Sequence, residues 1–371
     1  MALVNVLDSP DISWQGRWSA SHPHTSAWGA SVILFKTSAP NIVLKTGAGS
    51  KGFTVTSIRF GKIDEPCVIC SVWRVGHGEI QRREIKGAQE VVLSDEAGSE
   101  ERVVELVFGE IGGHLEIDSL LISETHTLVP VFAPSPTPPL RLLFIGASQT
   151  SGFSTPFHTP PVLPSGSFTS WPLIFTRTLR EEDRDVRTTV VARPGIRLCS
   201  GLVEGEEVLG MDRRFWEGWD GVGGFGGSVG GAEADKGEVV FISIGSNDMA
   251  TGVSQAEYLS GLQRFLNALV SRLSPHVKHL VFVAPFGFHT RSAGGSWARQ
   301  GVFEPQTKDM LDALSDEWEE RGYAEQVWHC DTAGWVNGDR CPDGLHFDEQ
   351  GHGDVARRLR EWCEAHLGDV F

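Results

Sequence analysis

The sequence predicts two domains of different class: an all-β, jelly-roll-like sandwich, then an α/β unit with a three-layer, doubly wound parallel sheet. Three observations carry this. Between Ser31 and Ser123 apolar residues recur at period two or in short runs broken by Gly, Pro, Asp or Ser, as short strands require. From Leu140 onward strand-like runs alternate with helical ones, the signature of βαβ units. Between the two lies VFAPSPTPPL, Val131 to Leu140, whose prolines stiffen an extended connector and exclude both helix and central strand. The expected limits are 1–130 for the sandwich, 131–139 for the connector and 140–371 for the α/β unit. A chain of 371 residues exceeds the size at which a single core stops growing, which favours two.

In the first half the runs VILF, NIVLKT, FTVTSIRF, CVICSVWRV, EVVL, RVVELVF and LEIDSLLIS predict at least seven strands and no helix. Two motif matches there carry no chemistry. GAGSKG, Gly47 to Gly52, fits a dinucleotide-binding pattern, but a strand rather than a helix follows it, so it reads as a hairpin turn. His22 and His24 lack a third ligand at convincing spacing and read as solvated loop.

In the second half RLLFI opens the α/β unit, followed by the helical SWPLIFTRTLREE and the strand VRTTVVA. The strand VVFISIG precedes the helix QAEYLSGLQRFLNALVSRL, where Ser254 and Glu257 form a capping box and Leu259, Leu262, Leu266, Leu269 and Leu273 recur at helical spacing as core. Next come the strand HLVFVA, a helix from Gln306 to Arg321, the strand QVWHC and a last helix from about Asp354 to His366. The stretch Gly218 to Gly237 is too glycine-rich to be ordered by its own contacts. It contains GGSVG, but no strand enters and no helix leaves, so Ser228 reads as part of a flexible insertion and not as a nucleophile; its position between the second and third blocks suggests a lid over the crevice.

Composition excludes several classes. No apolar run approaches the eighteen or so residues of a membrane span. A formal net charge of -16 without Lys/Arg clusters argues against nucleic acid. Neither a basic start nor an apolar segment of export-signal length opens the chain, which predicts a cytoplasmic location, with secretion as the alternative if export is unconventional or a signal has been removed. Six cysteines are too few for a disulfide framework. Cys67 and Cys70 fit a strand pleat better than a metal site, and Cys330 and Cys341 are expected to be reduced in cytosol or bridged on export. No metal or other cofactor is implied, and the oligomeric state is not legible.

In a doubly wound sheet, chemistry collects beyond the carboxyl ends of the strands. Four loops end there. The first carries Ser148 in GASQTSG, the second Gly195 in RPGIRLCSG, the third Asn247 in GSND, and the fourth Asp343 and His346 in CPDGLHFDEQGH. These could supply what acyl transfer needs: Ser148 as nucleophile, His346 as general base and then acid, and Asp343 to fix the imidazole tautomer. The backbone N–H groups of Ser148 and Gly195, with the Asn247 amide, would form the oxyanion hole. Singly, Asn247 also reads as a turn residue, Gly195 as a loop glycine and Asp343 as a cap. Together, at four strand ends of one sheet, they make the stronger case. His352 is expected to pack or cap where the last helix begins.

The four blocks resemble those of SGNH (GDSL-type) hydrolases over about Leu140 to the C-terminus, GSND and DGLH being the most specific part. The all-β first half, the fragment WQGRW and the spacing into RLLFIGAS resemble the two-domain esterases of carbohydrate esterase family two. That resemblance implies removal of acetyl groups from sugars of plant polysaccharides. The chain departs from the pattern in several places. Ala147 stands where the family has Asp, Phe347 where it has Pro, and Asp343 and His346 keep a three-residue step where family two tends towards a dyad. With no export signal in view, an intracellular small-molecule ester is the expected substrate. The leading expectation is therefore a metal-free serine esterase acting on short acyl esters of a carbohydrate or glycosylated small molecule. The alternatives are an acyltransferase using the same triad with an alcohol acceptor, and a catalytically weak carbohydrate-binding protein in which Trp171, Trp297 and Trp335 stack on sugar rings.

Overall fold

Period-two patterning in the first part of the chain builds two antiparallel sheets. The computed structural model describes all residues except 1, 51–55, 58–60, 63–68, 77–78, 96–99, 109–113, 133–134, 154–162, 164–165, 204, 219–221, 223, 228–235, 324–325 and 369. One sheet runs Leu3–Asn5, Leu115–Ser123, Ile42–Thr46, Glu90–Ser94, with His24–Ser26 also paired to Leu115–Ser123. The other runs Leu128–Val129, Ser31–Thr37, Arg102–Phe108, Ile69–Val75, Gln81–Ile85, with Ser13–Gln15 against Ser31–Thr37. Ile33, Phe35, Leu106 and Phe108 of the second share one core with Ile42, Leu44, Ile117 and Ile122 of the first, the packing of a sandwich. Their neighbours Val32, Leu34 and Val107 point the other way, into a core shared with the α/β part. Burial on both faces is why VILF shows no alternation.

The strands Leu3–Asn5, Ser13–Gln15, His24–Ser26, Gln81–Ile85 and Leu128–Val129 were not legible, being very short or, as in QRREI, polar. Of FTVTSIRF only Thr56–Ser57 is described as strand, and the side chains of Cys67 and Cys70 lie outside the described residues. The expectation of a solvated loop fails for His24. It sits buried in a strand and its ring Nδ1 bonds the Ser19 carbonyl, while His22 Nε2 bonds that of Asp118.

The α/β part has five parallel strands: β1 Leu140–Gly146, β2 Val186–Ala192, β3 Val239–Ser243, β4 His279–Val283 and β5 Gln326–Cys330, in spatial order β2-β1-β3-β4-β5. Alternate residues feed two cores. Leu142, Phe144, Val190, Phe241 and Val281 meet helices α2 (Trp171–Arg180) and α7 (Glu349–His366). Leu143, Ile145, Val240, Ile242 and Phe282 meet α3 (Met211–Glu217), α5 (Gln255–Leu273) and α6 (Gln306–Glu320). The strand order reverses beside β1, and the crevice of such a fold opens at that switch point.

Ser254 accepts the N–H of Glu257 as the capping box requires. Leu259 is only half-buried, and Tyr258 and Phe265 fill the core beside the other leucines. The last helix starts at Glu349 and not near Asp354, capped by Asp348, whose side chain accepts the Gly351 N–H. Gly351 and Gly353 lower the propensity of its first turns, which hid them. The hairpins Gly201–Val203/Glu206–Val208 and Phe288–Arg291/Trp297–Gln300 were not foreseen. Cys199, Cys330, Cys341 and Cys363 are free and buried. Among the described residues no helix is long and apolar enough to cross a membrane.

Candidate active site

Two residues beyond the last of β1, Ser148 opens the four-residue helix α1, Ser148–Ser151. Gly146 is required by space. A Cβ there would lie 2.1 Å from Thr150 Oγ1 and 2.9 Å from the Ser243 carbonyl oxygen. At the first helical position the Ser148 N–H has no acceptor within the helix. The turn forms without the carboxylate that Ala147 replaces: the N–H groups of Thr150 and Ser151 donate to the Ala147 carbonyl, and that of Phe153 to the Ser148 carbonyl. Gln149 adds a tie the sequence did not suggest, its amide donating to the Leu345 carbonyl at 2.8 Å and so joining this turn to the histidine loop.

That loop folds on Asp343. Its Oδ1 accepts the N–H of Leu345 at 2.9 Å and of His346 at 2.7 Å, and its Oδ2 lies 2.6 Å from His346 Nδ1. A carboxylate can only accept, so Nδ1 carries the proton and Nε2 is left as an acceptor. Nε2 lies 2.8 Å from Ser148 Oγ. Burial pushes the Asp343 carboxyl up, but the His346 bond, the imidazole charge and the two N–H donors outweigh it and hold it at about 2. Gly344 adopts φ +81, a conformation open to glycine, where a Cβ would lie 2.6 Å from the His289 carbonyl oxygen. The His289 N–H in turn donates to the Gly344 carbonyl at 2.7 Å, so the hairpin after β4 braces the loop that must return to β1 from the end of β5. Phe347, in the family's proline position, is fully buried between Phe286 and His352, and Phe153 meets the His346 ring edge-on at 4.9 Å.

Gly195 follows β2 with φ +78 and nothing within 4 Å of where its Cβ would be. Asn247 lies in α4, Ser246–Ala250, just after β3, and its amide donates to the Ile196 carbonyl at 2.9 Å. Its second N–H remains for another acceptor. Both loops flank β1, and so Ser148, at the carboxyl edge. Asp248 was passed over although it stands in the quoted GSND block. It is fully buried and accepts the N–H groups of Leu198 and Cys199.

The other sequence candidates lie apart from this relay. His352 is inside α7 and fully buried, where it accepts the Trp171 N–H at 3.2 Å; burial, with the nearby imidazole, pushes it down to about 3, so it stays neutral. Trp171 is no sugar platform, being 1% exposed and packed on Phe144. Trp335 is half-buried against Phe286, and Trp297 donates from its indole N–H to Asp339. Ser228 lies outside the described residues.

No curated protein matches the chain by sequence. Its fold is similar to that of a family two carbohydrate esterase from Clostridium thermocellum solved with cellohexaose, at 16% identity and TM-score 0.68, covering 96% of this chain and 99% of that one. An acetyl xylan esterase from the rumen bacterium Butyrivibrio proteoclasticus superposes with TM-score 0.70 at 13% identity over the full length of both. A salicylyl-acyltransferase from a tetracycline biosynthetic pathway gives 0.62 at 13% identity, covering 99% of this chain and 97% of that one. The sequence pattern of the GDSL-like lipase/acylhydrolase family matches residues 144–353, more than half of the chain and the span from β1 to the first turn of α7. The chain belongs to that family and is a carboxylic ester hydrolase.

Proposed function

We propose that this protein hydrolyses acetyl or other short acyl esters of a carbohydrate or glycosylated small molecule through a serine acyl-enzyme. The observation that carries the reading is the unbroken relay Ser148 Oγ, His346 Nε2, His346 Nδ1, Asp343 Oδ2, with links of 2.8 and 2.6 Å. His346 takes the Ser148 proton as Oγ bonds the acyl carbon, then gives it to the departing alcohol. Water, deprotonated by the same imidazole, releases the acid and restores Ser148. The N–H groups of Ser148 and Gly195 with the Asn247 amide hold the charge on the acyl oxygen. The residues before about 130 are read as a jelly-roll-like accessory domain, joined through 131–139 to a catalytic domain at 140–371. The carbohydrate assignment is supported by likeness over nearly the full length to a family two carbohydrate esterase solved with cellohexaose and to an acetyl xylan esterase. Wild-type enzyme should cleave a chromogenic acetate ester and an acetylated xylo-oligosaccharide, and Ser148→Ala should not. Full activity in that variant would refute the mechanism.

A second reading is favoured by one observation, that a salicylyl-acyltransferase shares the architecture over almost its whole length. Ser148 is 6% exposed, and a crevice poor in water favours passing the acyl group to another alcohol. Product analysis with an acyl donor and sugar alcohols separates the two, since appearance of the free acid alone rules out transfer.

A further inference from the structure

Two adjacent side chains of α4 reach across to the loop after β2. Asn247 Nδ2 donates to the Ile196 carbonyl at 2.9 Å, while Asp248 accepts the Leu198 N–H at 2.8 Å on Oδ2 and the Cys199 N–H at 2.9 Å on Oδ1. Three of the four residues following Gly195 are thereby sewn to the helix that carries Asn247. Gly195 itself has no side chain to pack and open space where one would begin, so the direction of its N–H is set by these neighbouring bonds. On the far side of α4, Tyr258 is fully buried, donates its hydroxyl to the Ile244 carbonyl at 2.9 Å, and would lie 2.8 Å from a Cβ on Gly245. The segment that enters α4 is thereby tied to α5, while Asp248 holds the loop after β2.

We propose that Asp248 is the positioning residue of the oxyanion hole: its carboxylate locks the loop carrying the Gly195 N–H against the helix carrying the Asn247 amide. The proposal rests on the reading of Ser148 as nucleophile and of Gly195 and Asn247 as oxyanion donors. Only a carboxylate offers two acceptors and no donor at this spacing; an asparagine turns an NH2 towards one of the two N–H groups. Burial pushes the Asp248 carboxyl up to about 6 against the pull of those two N–H donors and Arg197. Keeping it ionised near neutrality opposes folding, as expected of a group retained for function.

Asp248→Asn should lower kcat on the order of 10²-fold, the effect of misplacing reacting groups by about an ångström, with KM within about twofold of wild type. In the double variant with Asn247→Ala, the combined loss should fall well short of the product of the two single losses, because both residues hold the loop after Gly195. Losses that multiply, or a raised KM with unchanged kcat, overturn the proposal. Should Asp248→Asn not fold, hydrogen exchange of the wild-type enzyme decides. The amides of residues 195–199 should exchange more slowly once an alkyl phosphonate occupies Ser148 and its oxyanion fills the hole, and unchanged exchange overturns the proposal. Full activity of Ser148→Ala would instead bring down the underlying reading, whatever Asp248 does.

Discussion

Asp343 and Asp248 lie in two segments that follow parallel strands at the carboxyl edge of the sheet, and their surroundings push them in opposite directions. Asp343 is held at about 2, below the ordinary carboxylate value of 3.8, so its contribution to stability is complete above about 4 and lost as pH falls towards 2. It stays ionised throughout the range in which an imidazole serves as base. Asp343→Asn should leave the fold intact and lower kcat by on the order of 10⁴-fold through loss of the correct tautomer, checked by steady-state kinetics on an aryl acetate. Asp248, raised to about 6, has the reverse sign: its contribution is greatest below about 4 and is lost as pH rises through 6. Urea denaturation should therefore find Asp248→Asn more favourable relative to wild type at about pH 7 than at about pH 4. Asn247→Ala should slow turnover by about 10²- to 10³-fold, one oxyanion donor's worth.

At the scale of elements, the site depends on where strands stop and helices begin. Asp348 caps α7 immediately after the histidine loop, its side chain accepting the Gly351 N–H at 2.7 Å. Asp348→Ala should cost about 1 kcal/mol in chemical denaturation, with a smaller effect on kcat than any change in the relay. Between the two halves, Arg177 of α2 holds both carboxylate oxygens of Glu105 at 3.0 and 2.9 Å, with the pair largely buried. Glu105→Ala leaves that guanidinium without its counter-charge and should destabilise by about 3–5 kcal/mol in the same assay. The parallel strands were legible because, buried on both faces, they are unbroken apolar runs. What escaped was set by tertiary pairing: QRREI is a strand only because it borders Ile69–Val75, and the hairpin bracing Gly344 carries mostly polar residues. Within the site, the order and spacing of Ser148, Asn247, Asp343 and His346 could be read directly. The Gln149 tie to Leu345 could not, because it joins residues 196 positions apart through a backbone carbonyl.

Over the whole molecule, one core joins the two halves: Val32, Leu34 and Val107 of the sandwich pack with Leu140, Leu142 and Phe144 of β1. The strand that leads to Ser148 is thus partly covered by the first half of the chain. Thermal unfolding should therefore be a single calorimetric transition, and two separated transitions would show that the shared core does not couple the parts. The central claim is that the imidazole of His346 activates the hydroxyl of Ser148, and the most direct measurement is intact mass and peptide mapping after treatment with a serine-directed organophosphonate. The account predicts one adduct per chain, mapped to the peptide carrying Ser148 and lost in His346→Ala. No adduct, one on another serine, or one that forms equally fast without His346 would contradict it.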